Sequence, residues 1–96
     1  MKTIADLKKT MVLGRQIEML MFDGKTPPDK LRGVREVVKT QTNGVYLAPF
    51  EGSDRKSFFN FPKSNELEIH TTKHFTIKDR NENGDVWCVR EYLIKN

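Results

Sequence analysis

Residues 34 to 48 constrain this chain more than any other stretch: Val-Arg-Glu-Val-Val-Lys-Thr-Gln-Thr, then Asn-Gly, then Val-Tyr-Leu-Ala. Two runs rich in β-branched and aromatic residues flank the Asn43-Gly44 pair. A type I′ turn needs φ > 0 at both central residues, which Asn and Gly tolerate, and its twist matches that of paired strands. The spacing therefore predicts an antiparallel hairpin with strands over 33–42 and 45–49.

The remaining segments extend this β pattern. Thr3 is suited to cap a helix, with Asp6 at the capping-box position, Ile4, Leu7 and Met11 on one face, and Gly14 as a stop. A helix over 4–12 follows, too short to stand alone, so its apolar face must dock on the rest. From Arg15 the period becomes two, with Ile17, Met19 and Met21 opposite Gln16, Glu18 and Leu20, predicting a strand over 15–22 that ends at Asp23-Gly24. Pro27 and Pro28 make the next stretch a loop, since neither can donate to a ladder.

Ser57 to Phe61 reads as a strand ended by Pro62, with Phe59 and Phe61 on one face and Phe58 on the other. Residues 66–70 and 74–79 form a second hairpin about Thr71-Thr72-Lys73. Residues 86–94 fit a helical face as well as a strand; their β-branched and aromatic content and the preceding Asn83-Gly84 favour the strand. The expectation is one mainly β (α+β) domain over 1–96, a small antiparallel barrel or curved sheet with a single N-terminal helix.

Bulk composition narrows the function classes. A chain of 96 residues buries only about 60–65 % of its unfolded surface, leaving little room for a deep substrate cleft. The single Cys88 excludes an internal disulfide, and no stretch approaches the roughly 20 apolar residues of a membrane span. Met1 to Leu7 carries no signal-type apolar segment, so a soluble cytoplasmic protein is expected. Of the net charge of +4, segment 25–39 holds a large share: Lys25, Lys30, Arg32, Arg35 and Lys39 stand against Asp29 and Glu36. Such a patch suits phosphate, an anionic surface or an acidic protein, and is also compatible with an ordinary solvated face.

Residues with catalytic or metal-binding chemistry do not assemble into a constellation. Asp79 to Asp85 matches the D-x-N-x-N-G opening of a calcium loop, but position twelve, where a bidentate Glu belongs, is Arg90. A polar hairpin loop is the expectation there. His70 and His74 bracket a short turn and can approach each other, yet two imidazoles fall short of a zinc site. Cys88 lies in an apolar run that favours a buried thiol over a nucleophile. A non-enzymatic protein without metal or cofactor is expected.

Binding is the remaining class, in two forms. Direct nucleic-acid binding would use Lys30, Arg35 and Lys39 on phosphates, with Tyr46, Phe58 or Trp87 stacking on bases. A protein partner would instead meet a strand edge, charged loops including Arg32, or an aromatic anchor such as Tyr46 or Trp87. The layout of a short capped helix, a strand, L-R-G-V-R-E-V-V-K-T-Q-T-N-G-V-Y-L and then F-N-F-P-K-S resembles small SH3-like β-barrel accessory proteins of phages and mobile elements. That resemblance implies action by binding and modulating or inhibiting host machinery, including nucleic-acid-handling and phage-defence proteins or nucleoprotein complexes. It assigns no functional residue. Exposed strand edges also allow a homodimer.

Overall fold

The computed structural model describes residues 2–49 and 53–95, apart from the side chain of Lys30. One short helix, α1 (Ile4–Thr10), precedes seven strands: β1 (Gln16–Phe22), β2 (Val34–Gln41), β3 (Gly44–Leu47), β4 (Ser57–Asn60), β5 (Leu67–Ile69), β6 (His74–Arg80) and β7 (Val86–Ile94). The ambiguous C-terminal segment is thus a strand. All pairings are antiparallel, in the order β4-β3-β2-β1-β7-β6-β5.

This order forces the sheet to curl. Strands β4 and β5 are consecutive in the chain yet stand at opposite edges. A flat sheet of this order would be about 29 Å wide at ~4.8 Å per strand, whereas the chain from Asn60 to Leu67 reaches at most about 25 Å fully extended. The link is not extended, because the Glu66 amide bonds back to the Lys63 carbonyl at 2.9 Å. The edges are therefore drawn together, and the rings of Phe59 on β4 and Tyr92 on β7 lie 5.3 Å apart. In a flat sheet those strands would be separated by about 19 Å.

Curvature enters at three irregularities in register, at Leu20 in β1, Val38 in β2 and Trp87 in β7. An extra residue on one strand bends it and increases its twist. The sheet remains open, so the curved-sheet form is realised and the closed barrel is not. Among the described residues β4 and β5 do not pair, and α1 lies at the seam between them. Lys8 sits over the Phe61 ring that follows β4, and Ile4 lines a shallow groove with Leu67 and Ile69 of β5.

The helix docks by the face its spacing implies. Leu7 and Met11 are 0 % and 1 % exposed and join Ile17, Val37, Val45, Phe59, Phe75 and Ile77 in the core. Burying a side chain the size of Leu7 is worth about 1.5–3 kcal/mol. The capping box is formed: the Asp6 amide donates to Thr3 Oγ1 at 3.3 Å, and the Thr3 amide to the Asp6 carboxylate at 3.2 Å. The helix stops at Thr10 rather than residue 12, where the Arg15 guanidinium donates to the Thr10 carbonyl at 3.0 Å.

Two turns differ from their sequence signatures. The hairpin between β2 and β3 forms, but Gln41 pairs with Gly44, leaving Thr42-Asn43 as the turn. None of Thr42, Asn43 and Gly44 has positive φ, so the expected type I′ turn is absent. Asp23-Gly24 instead has φ of 52° and 76°, between bridged Phe22 and Lys25, as that turn type requires. Gly44 is needed for a different reason. A Cβ there would run into the Phe59 carbonyl oxygen and lie 2.6 Å from Phe58 Cζ, so the Phe58 ring rests directly on the glycine backbone.

Candidate binding face

The outer face of β2, β3 and β4 carries the most chemically distinctive row of side chains. Val45 and Leu47 point into the core at 0 % and 5 % exposure, so the intervening Tyr46 points outward. Lys39 pairs with Tyr46 across β2 and β3, and Phe58 pairs with it across β3 and β4. The Lys39 ammonium is 5.8 Å from the Tyr46 ring centroid. Tyr46 and Phe58 meet edge to face, with centroids 4.9 Å apart and planes at 64°. Lys39 is exposed, and both rings are half-buried.

The irregularity at Val38 creates this row. Strict alternation would place Arg35, Val37 and Lys39 on one face of the strand. The register shift between Val37 and Lys39 resets the parity, so Val37 enters the core and Lys39 joins Tyr46 outside. Residues Asp54, Arg55 and Lys56, immediately before β4, are exposed and add two cations against one anion.

The other basic residues of segment 25–39 are dispersed. Arg35 faces inward, donating from Nε to the Ala48 carbonyl at 3.0 Å and from Nη2 to Ser57 Oγ. It ties β2 to β4 and to the chain following β3, and its burial lowers its pKa. Arg32 bonds the Pro27 carbonyl at 2.9 Å and pairs with Asp29 at 3.2 Å in the loop before β2. The backbone of Lys30 lies in the 3₁₀ turn Asp29–Leu31, and its side chain lies outside the described residues. Of the basic and aromatic candidates whose side chains are described, the structure brings Lys39, Tyr46 and Phe58 together and places Arg32, Arg35 and Trp87 elsewhere.

A second polar group occupies the inner face. Arg90 donates from Nε and Nη2 to both oxygens of Asp79, at 2.9 and 3.0 Å, and from Nη1 to the Tyr92 hydroxyl at 3.0 Å. Burial raises the Tyr92 pKa, which keeps it a neutral phenol. These are the end positions of the calcium-loop pattern, and Asp79 is committed to Arg90. Asn81 Oδ1 accepts the amides of Asn83 and Asp85, at 2.9 and 3.0 Å, and Gly84 has φ of 85°. The segment is a hairpin turn, and among the described residues no group of three or more His, Cys, Asp or Glu is placed to hold a metal.

The histidines do meet, with ring centroids 4.6 Å apart. His70 Nε2 bonds Thr76 Oγ1 at 2.7 Å, and His74 Nε2 bonds Glu91 Oε1 at 2.6 Å. Cys88 pairs with Asp79 while His74 pairs with Leu93, five residues along, so thiol and imidazole are separated by about 17 Å of strand. Burial, reinforced by Asp79 and Asp23, raises the Cys88 pKa and keeps the thiol protonated.

Trp87 is the extra residue between the Asp79–Cys88 and Arg80–Val86 pairs and is 65 % exposed. It stands on β7 with exposed Val86, apart from the Tyr46 row on β3. No helix among the described residues is long and apolar enough to cross a membrane. No family model matches the chain, and neither the curated proteins nor the solved structures include a match.

Proposed function

We propose that this protein is a non-enzymatic binding domain that engages and modulates a macromolecular partner through the outer face of β2, β3 and β4. The observation that carries this reading is the row Lys39, Tyr46, Phe58. Two adjoining aromatic rings and a lysine stand on an open sheet face, although a core of this size has use for every aromatic. Aromatic side chains beside a cation supply large contact area at little entropic cost, the usual make-up of a binding anchor.

The reading includes the SH3-like accessory-protein class that the layout resembles, with a partner among host nucleic-acid-handling or phage-defence proteins. Modulation by occupancy, including inhibition, follows for a small domain that binds without chemistry.

Affinity capture with the wild type and Tyr46→Leu in parallel tests the face. A stoichiometric protein or nucleoprotein retained by the wild type and lost from the variant is the expected result. Equal retention by both, or by neither, overturns it.

A further inference from the structure

We infer that the Lys39, Tyr46, Phe58 row takes single-stranded nucleic acid, with bases stacked on the two rings and a phosphate at Lys39. This deepens the binding-face reading above and rests on it. Three features of the face point to this ligand.

The first is shape. The Phe58 ring lies against the backbone of Gly44, where no Cβ could be accommodated, so it forms a low platform rather than a projecting anchor. Tyr46 meets its ring on one side and Lys39 on the other, which restricts its rotation. The two rings stand at 64° to one another, so each offers its own face to a separate base, and every base has a planar face to stack.

The second is charge. Lys39 is exposed on the face, and Arg55 and Lys56 are exposed just before Phe58, against Asp54 in the same stretch and Glu36 on β2. The chain as a whole carries +4. A strand crossing the row would meet Lys39 on β2 at one end and, beside the edge strand β4, the exposed net-positive stretch 54–56 at the other. Positive charge tracking a backbone, with aromatics between, is the pattern that binds single strands.

The third is access. Because β4 is an edge strand, the row runs to the border of the sheet and a chain can leave it there. A duplex keeps its base faces stacked on one another and offers only edges in its grooves, which a helix or β-ribbon reads. Here β2 and β3 are flanked by β1 and β4 in a wider sheet and form no free ribbon to enter a groove, so single strands are preferred over duplex.

The test is fluorescence anisotropy of labelled oligothymidylate and of a labelled duplex, at low and moderate salt. The expected result is single-strand binding that weakens steeply with salt and exceeds duplex binding. Tyr46→Leu keeps apolar bulk in the sheet but removes the ring, and should weaken binding about tenfold. Lys39→Gln should reduce the log–log salt slope by about 0.7. Lys73→Gln, on the β5–β6 turn, should preserve the Tyr46-dependent affinity.

Absence of binding at low salt, or affinity indifferent to both Tyr46→Leu and Lys39→Gln, overturns the inference. If oligonucleotides do not bind while a captured protein, resistant to nuclease, still depends on Tyr46, the nucleic-acid assignment fails and the binding face stands. If neither depends on Tyr46, both fail.

Discussion

Asp79 holds the guanidinium of Arg90 in a two-bond fork across the β6–β7 hairpin, and Arg90 passes a third hydrogen bond to Tyr92. The side chains of Asp79 and Arg90 are 23 % and 21 % exposed. Removing one partner strands the other charge on the inner face of the sheet. Asp79→Leu alone should cost about 2–4 kcal/mol, toward the lower end of what breaking a buried pair costs. The double variant Asp79→Leu with Arg90→Met should recover most of that loss, as urea denaturation of the four members of the cycle would show.

Gly44→Ala should destabilise the protein although Gly44 has an ordinary strand conformation. The added Cβ meets the Phe59 carbonyl, which is backbone and cannot move aside, as well as the Phe58 ring. An overpacking cost of about 1–3 kcal/mol is expected. Thermal unfolding should show the Tm falling by about 4 °C or more.

Leu7→Ala should lower stability by about 2–5 kcal/mol, because Leu7 is fully buried at the seam between the sheet edges. Thr3→Ala, which removes only the cap, should cost about 1 kcal/mol. A comparable loss for both in chemical denaturation would mean that α1 contributes by its cap rather than by its packing.

Acid should weaken the fold through specific carboxylates. Burial works to raise the pKa of Glu66, but the amides of Lys63 and Arg80, at 2.9 and 3.0 Å, outweigh it and set the value below the ordinary 4.5. The Lys78 hydrogen bond does the same for Glu68, and the Lys2 amide for Asp6. The native pKa is the lower one in each case, so the unfolded chain takes up protons first. Stability is complete above the ordinary values and is lost as pH falls through the native ones, in a window from about pH 5 downward. Glu66→Gln should flatten that decline in a series of denaturation curves between pH 6 and 3.

Much of this architecture is legible in the residues, and the side chains that alternation misplaces share one cause. The capped helix, the antiparallel hairpins and the strand nature of Val86 to Ile94 follow from spacing, although the β2–β3 turn is not the type I′ turn that Asn43-Gly44 signalled. The conflict in the calcium-loop pattern was itself informative, since the cation at Arg90 is the partner of Asp79. What alternation cannot supply is the position of an inserted residue. Val38 sends Lys39 outside while Arg35 stays in, and Leu20 sends Met21 out while Met19 packs on the core. Each shift contributes to the curvature that brings β4 and β5 together, a property of the whole sheet. The shift at Val38 separates Arg35 from Lys39, whereas Phe58 faces outward by plain alternation with buried Phe59 and meets Tyr46 through strand pairing.

If the outer face of β2, β3 and β4 takes single-stranded nucleic acid, the amides of that face must report it. Amide shift mapping of the ¹⁵N-labelled protein titrated with oligothymidylate tests it most directly. Perturbations should concentrate at Lys39, Gly44, Tyr46 and Phe58, with His74 and Leu93 unmoved. Perturbations centred on Trp87 and Val86, or none across the titration, would contradict it.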